Sequence, residues 1–268
     1  MSDLAAPRAA ARAPGSTDLL IMAARCFRLS RRRIDALLTS LLLPVMLMVV
    51  FVYLFGGAIR TGDRHYITYV VPGVLLLCAA VGSAGTAVSV SQDMTGGIID
   101  RFRSLDVPGV VVLAGHVTAS LARNLVSTVL VAAVAVGIGF RPHSDPARLA
   151  AAVGVLLLFV AAVSWLAAAY GLAVSSPEAA NGAMFYLMFL SYASSAFVPV
   201  RTMPWWLRGF ARHQPATPVT ETLRGLLLGP AAGSQAAGGQ LAAALAWSAG
   251  ILAASVLLSM VLFRRRTA

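Results

Sequence analysis

The sequence predicts an all-α membrane protein with six transmembrane helices. Of its 268 residues 59% are hydrophobic and only 12% charged, against roughly a quarter charged in soluble domains. Six apolar stretches each reach the ~20 residues that a helix needs to cross the hydrocarbon. The arginines gather at the ends of those stretches rather than on a polar domain. The formal net charge of +11 therefore points to anionic lipid headgroups, and nucleic acid is not expected as a partner.

Taken in order, residues 1–16 are rich in Ala, Pro and Arg and read as a disordered tail. Residues 17–263 form a single transmembrane domain, and 264–268 a basic cytoplasmic tail. From Asp18 to Arg33, Leu19, Met22, Cys26 and Leu29 recur at helical spacing with arginines between them. That pattern suits an in-plane helix in the headgroup layer. An ordinary basic flank to the first span explains the same arginines, and both readings stand. The spans are expected at 36–57, 67–91, 119–140, 149–175, 182–200 and 241–263. In the third, apolar character starts at Val110 but His116, Arg123 and Asn124 interrupt it. Its first part is expected in the headgroup region, with 125–140 the membrane-buried part. No cleavable signal peptide is expected, because the first apolar run is full length and lies beyond thirty residues.

Arginine placement sets the expected orientation. Arg25, Arg28, Arg31, Arg32 and Arg33 precede the first span, and Arg264, Arg265 and Arg266 follow the last. With six spans both termini are then cytoplasmic. Arg201, Arg208, Arg212 and Arg224 accumulate on the other side, against the rule.

Two connections are more than linkers. Between the second and third spans, Ile98, Phe102 and Leu105 form one apolar stripe, with Asp100, Arg101, Arg103 and Ser104 opposite. Gly96 and Gly97 permit a sharp turn before this short helix, and Pro108 and Gly109 end it. It suits docking into a groove of a soluble partner, although on pattern alone a linker lying on the membrane surface is favoured. The second connection, 198–229, is long for a loop. Trp205 and Trp206 are interfacial anchors, Leu207 and Phe210 oppose Arg208 and Arg212, and Pro215 and Pro218 break the chain before a restart over 218–228. Two short helices that dip into the outer leaflet and return fit this pattern, as a surface loop or as a lid over an exit.

Little chemistry is present. All 21 basic residues are arginine, so the lysine of a phosphate-binding P-loop is missing and any ATP hydrolysis falls to another chain. Cys26 and Cys78 are too far apart in context for a disulfide framework, and His65, His116, His143 and His213 lie on different connections. No metal or cofactor is expected. The Gly82-Ser83-Ala84-Gly85 run lacks the spacing of a serine-nucleophile elbow. Ala79, Ser83 and Ala87, with Gly82 and Thr86, are more simply small-residue packing faces. An intramembrane enzyme and a non-transport membrane scaffold are the competing classes. A gradient-driven transporter is disfavoured, because Arg123 alone is a candidate intramembrane charge and it lies near a boundary.

The run GGIIDRFRSL at 96–105, followed by an apolar helix ending in ARN at 122–124, resembles the cytoplasmic loop of type-2 ABC exporter permeases of the daunorubicin-resistance kind. The stretch SSAFVPVRTMPWWLRGFARHQPATPVTETLRGLLLG at 194–229 resembles their signature before the final span, and SPEAAN at 176–181 falls at their short connection between spans four and five. The resemblance covers nearly the whole chain. Asp106 replaces a common proline, and His116 and Ser120 stand where an arginine and an aspartate are frequent. The importer-type EAA loop fails, since Gly182 lies four residues after Glu178 instead of six. The resemblance implies a non-enzymatic, multi-pass subunit of the bacterial cell membrane that pairs with a second permease and with ABC ATPase subunits. Gly97, Ile98, Asp100, Arg101, Phe102, Arg103 and Leu105 would then form the coupling helix. An amphipathic drug, natural product, lipid or glycan would move along or past Phe51, Tyr53, Phe55, Phe185, Tyr186, Phe189, Phe197, Pro199, Trp205 and Trp206. Those aromatics could equally face lipid.

Overall fold

A computed structural model describes residues 34–55, 66–96, 109–229 and 237–267. The expected tail, the in-plane helix over 18–33 and the amphipathic stripe over 97–105 lie outside the described residues. Every regular element described is helical: α1 (Ile34–Val50) runs into a π-helical turn (Phe51–Phe55), followed by α2 (Tyr66–Thr95), α3 (Gly109–Ile138) and α4 (Pro146–Ala173). Next come the one-turn α5 (Pro177–Ala180), α6 (Gly182–Tyr192), a 3-10 turn (Val200–Thr202), α7 (Trp205–His213), α8 (Ala216–Leu228) and α9 (Ala237–Thr267).

The long helix α2 is the axis of the bundle. It packs against α1, α3, α4, α6 and α8, while α9 lies along α4. Side chains from Val70 through Ala80 are buried on every side of α2, as expected of a helix surrounded by others. Small residues set the closest approaches. A Cβ on Gly171 of α4 would lie 3.0 Å from the Ala87 Cα of α2, and one on Gly73 would lie 2.7 Å from the Ala196 Cα. Neither site has room for it.

The loop ends follow local chemistry. Gly139 (φ 119°) ends α3 and Gly229 (φ 85°) ends α8, both in backbone conformations that an L side chain resists. Asp145 caps α4 by accepting the Arg148 backbone N–H at 2.7 Å, with Pro146 in the first turn where its missing N–H costs nothing. Ser176 and Pro177 repeat this arrangement at α5.

Four described helices are long and apolar enough to cross a bilayer: Tyr66–Thr95, Val110–Ile138, Pro146–Ala173 and Gly239–Arg265. The protein is a multi-pass membrane protein. Three expectations need correction. First, α3 is one unbroken helix, not a headgroup segment followed by a span. Its first half is the protein-buried half, with Val111, Val112, Leu113, His116 and Asn124 inside, whereas Leu125, Val126, Val129 and Leu130 face outward. His116 and Asn124 looked like interruptions because their partners, Asp93 and Ser83, lie on α2. Second, the stretch 182–200 is not a continuous span. Helix α6 stops after 11 residues, about 16 Å of rise against ~30 Å of hydrocarbon. Third, α9 continues as helix through Arg264, Arg265 and Arg266, beyond the expected end of the last span at 263.

A buried polar cluster joins α2, α3 and α4. The Asn124 amide donates to the Ser120 carbonyl at 3.0 Å and to the Ser120 hydroxyl at 3.3 Å, and reaches the Ser83 hydroxyl at 3.5 Å. The Ser120 and Ser164 hydroxyls share a hydrogen bond of 2.9 Å. A Cβ on Gly82 would sit 2.9 Å from Asn124 Cγ, so that glycine is what admits the amide. Hydrogen bonds between membrane helices are worth about 0.6 kcal/mol on average, and at most ~1.7. Asn124→Ala is therefore expected to lower stability to an unfolding detergent by about 1 kcal/mol without loss of fold. A drop several times larger in the unfolding midpoint would mean that the cluster does more than pack.

Candidate functional site

The bundle has two ends. The proximal end carries the termini of α2 and α3 that flank residues 97–108, and the distal end carries the α3–α4 connection, α7 and α8. The His143 backbone N–H donates to the Leu227 carbonyl at 3.0 Å, which fixes the α3–α4 connection and the end of α8 on the same side.

At the distal end, the Ala193 N–H makes the last helical bond of α6, to the Phe189 carbonyl at 2.9 Å, and the chain then turns through Ala193–Phe197, all five residues buried. Non-helical backbone inside a membrane protein needs covering and satisfied carbonyls. Three successive alternate carbonyls receive side-chain donors from elsewhere. Gln214 Nε2 donates to the Ala193 carbonyl at 2.8 Å, Tyr69 Oη to that of Ser195 at 2.9 Å, and Tyr66 Oη to that of Phe197 at 2.9 Å. The Ser195 backbone N–H donates to Thr217 Oγ1 at 3.2 Å, and that hydroxyl donates on to the Ala211 carbonyl. Arg224 is the hub. Its side chain is 4% exposed, pairs with Glu221, donates to the carbonyls of Tyr69 at 3.2 Å and Ser195 at 3.1 Å, and stacks 3.8 Å over the Tyr69 ring. One guanidinium thus ties α8, the start of α2 and the broken helix together. Its planar fork reaches several acceptors at once, which a lysine does not.

The aromatics expected along a path fall into two groups. Phe51 stacks on Phe197 with ring centroids 4.6 Å apart, and Tyr192 tilts against Phe197 at 5.2 Å. These join the π-helical turn to the broken helix, with Pro199 half-buried beside them in sequence. Phe185, Tyr186 and Phe189 project from α6 and are exposed, as are Tyr53, Trp205 and Trp206. The Phe55 side chain lies outside the described residues.

At the proximal end, Gly97, Ile98, Asp100, Arg101, Phe102, Arg103 and Leu105 lie outside the described residues, but their mounting is described. Asp93 in the last turns of α2 meets His116 of α3, Oδ2 to Nε2, at 3.1 Å and largely out of solvent. Below it Val90, Leu113, Ala168 and Leu172 form a separate apolar cluster with Met94, Trp165, Leu262 and Phe263 against it. Four helices are thereby bound together at the base of the 97–108 connection. On the α4–α6 connection at this end, the Glu178 carboxyl is held below the usual carboxylate range by its own backbone N–H and then by the Ser176 hydroxyl.

Sequence reasoning missed Arg224, Tyr69, Tyr66 and Gln214. The signal for Arg224 was available: an arginine three residues after Glu221 and followed by Gly-Leu-Leu-Leu is an ion pair set in apolar surroundings. The tyrosines gave none, since two tyrosines at the head of a span read as interfacial anchors.

Long apolar helices whose two ends are tied by different devices describe a membrane component. Residues 17–228 match the family described as ABC-2 type transporter, and the chain belongs to that family. It is 29% identical over 233 residues to the daunorubicin resistance ABC transporter permease protein DrrB1 of Streptomyces coeruleorubidus, covering 87% of this chain and 81% of that one. It is 24% identical over 214 residues to the probable doxorubicin resistance ABC transporter permease protein DrrC of Mycobacterium tuberculosis, 79% of this chain and 75% of that one. The chain is a transport permease subunit.

Proposed function

We propose that this chain is the membrane half of an ATP-driven exporter in a bacterial cell membrane. It works with a separate ABC ATPase and a second permease, most simply another copy of itself, and moves an amphipathic substrate outward. The family match over residues 17–228 carries this reading. The substrates named for the relatives, daunorubicin and doxorubicin, make amphipathic polycyclic drugs the first compounds to test, ahead of lipids and glycans. Six passes with both termini cytoplasmic put the proximal end in the cytoplasm. Helix α1 with its π turn and the shortened α6 with its downstream turn supply the two passes beyond the four long helices.

On this reading the stripe Ile98, Phe102 and Leu105 docks in a cleft of the ATPase, and Asp100, Arg101 and Arg103 meet its rim. The mounting supports that role: with Asp93 and His116 linked and the apolar cluster beneath, a push on 97–105 moves α2 and α3 together. Since α2 touches most of the bundle, its displacement reaches α8 and the broken helix at the far end. The exposed Tyr53 of the π turn and the exposed aromatic row on α6 then face the second permease or the substrate between them.

The test is co-purification with the ATPase, followed by drug efflux from cells that express both subunits. Phe102→Asp and Leu105→Asp each place a carboxylate where an apolar anchor docks. Either is expected to cost at least about 2 kcal/mol of association, roughly a 30-fold loss of affinity, with matching loss of efflux. Retained binding and unchanged ATP-dependent efflux in both variants would refute the coupling assignment. Failure of the parent pair to associate would refute the ATPase partnership itself.

A further inference from the structure

The distal end is cationic in a way that the transport reading does not use. Its described residues carry six arginines, Arg141, Arg148, Arg201, Arg208, Arg212 and Arg224, against two carboxylates, Asp145 and Glu221. Both carboxylates are taken: Glu221 by Arg224 and Asp145 by Arg148. Arg208 is turned inward and donates to the carbonyls of Arg201 and Met203, each at 3.0 Å, closing the turn ahead of α7. Arg201 and Arg212 are exposed and form no ion pair among the described residues.

Helix α7 surrounds these two charges with aromatic surface. Ala211 is its buried contact with the bundle. At about 100° per residue, Trp205, Trp206 and His213 fall on the opposite face, Phe210 on one flank and Arg212 on the other. Trp205 is 85% exposed, Trp206 65% and Phe210 47%. Arg201 lies at the α7 end nearest the tryptophans, held there by Arg208. Side chains this large and apolar, carried on a short helix at the end of a membrane bundle, match the interfacial layer, where indole rings settle beside headgroups. Two cations flanking them match phosphate in that same layer.

We propose that the exposed face of α7 is a binding surface for anionic phospholipid in the distal leaflet. Trp205, Trp206 and Phe210 lie among the glycerol and upper acyl segments, and Arg201 and Arg212 hold headgroup phosphates. A zwitterionic headgroup offers its phosphate with a compensating ammonium, so the two arginines select phosphatidylglycerol-like lipids over phosphatidylcholine. The surplus of arginines on this side, contrary to the usual distribution, then has a counter-charge supplied by the bilayer.

The experiment uses the full chain in nanodiscs with Trp165→Phe and Trp247→Phe, leaving Trp205 and Trp206 as the only indoles. Their fluorescence is quenched by phosphatidylglycerol or phosphatidylcholine brominated high on the acyl chain, at equal mole fraction. Quenching by the anionic lipid is expected to exceed that by the zwitterionic one at least about twofold. Arg201→Gln with Arg212→Gln is expected to equalise the two lipids while leaving quenching by phosphatidylcholine intact. Should that double variant not fold, 0.5 M salt on the parent is expected to erase most of the difference instead. Equal quenching by both lipids in the parent overturns the proposal, as does a preference that survives both the double substitution and salt. Absence of quenching by either lipid also overturns it, and would place α7 in water facing a soluble ligand.

Discussion

Replacing Arg224 with methionine is expected to lower the thermal midpoint of the solubilised protein by roughly 6–12 °C and to abolish export. The substitution keeps length and apolar bulk but removes donors to the Tyr69 and Ser195 carbonyls and leaves Glu221 without its cation. Breaking a buried pair from one side costs 3–5 kcal/mol, and because Glu221 is 21% exposed the lower end, about 3 kcal/mol, applies. At this chain length each kcal/mol is worth about 2–4 °C. Arg224→Lys restores the charge but not the fork, and is expected to recover about half of the loss. The Ser195 carbonyl also accepts from Tyr69 Oη, so Tyr69→Phe combined with Arg224→Met should cost less or more than the sum of the singles, not the sum itself. A methionine variant melting within a degree of the parent would show that the guanidinium does not hold the broken helix.

The second large effect is steric. Gly73→Val puts a branched Cβ where the Ala196 backbone lies, with the Ala196 Cα and carbonyl carbon both 2.7 Å from the Cβ position. Backbone on both sides gives way poorly, so the turn must lift off α2 and take Phe197 away from the Tyr66 hydroxyl and the Phe51 ring. Overpacking at such a contact costs 1–3 kcal/mol or more, and the variant is expected to express at a small fraction of the parent level. The control is in the same helix. Gly85 is exposed with nothing within 4 Å of its Cβ position, and Gly85→Ala should be neutral or stabilising by up to about 1 kcal/mol, since alanine is the better helix former. Equal expression of Gly73→Val, Gly85→Ala and parent would remove the case for a tight α2–turn contact.

What the sequence disclosed divides along physical lines. Apolar length is a local property, so the long helices were legible, and α2, α4 and α9 begin and end within a few residues of the expected limits. The two short helices α7 and α8 were legible from the tryptophan pair and the prolines, although α8 starts at Ala216, before Pro218, because a proline in the first turn needs no N–H partner. The break after Tyr192 was not legible. Ala193–Phe197 is uncharged and mostly small and reads as span; what makes it a turn is Gln214, Thr217 and Arg224, far along the chain. Likewise His116 and Asn124 resemble interruptions until Asp93 and Ser83 are brought opposite them. Residues whose meaning depends on a distant partner stay silent in a linear reading. The motif over 97–105 is the reverse case, spelled out in the sequence but outside the described residues.

The broken helix also bears on how the protein is made. Gln214, which satisfies the Ala193 carbonyl, and Arg224, which joins Tyr69 on the Ser195 carbonyl, lie 21 and 29 residues downstream. While those residues are still in the ribosome, Tyr69 and Tyr66 are present to bond the Ser195 and Phe197 carbonyls, but the Ala193 carbonyl has no side-chain donor, which favours continuing as helix. The kinked form becomes affordable once α8 has docked. A chain stalled before residue 224 is therefore expected to hold a longer helix from Gly182 than the 11 residues of the finished protein.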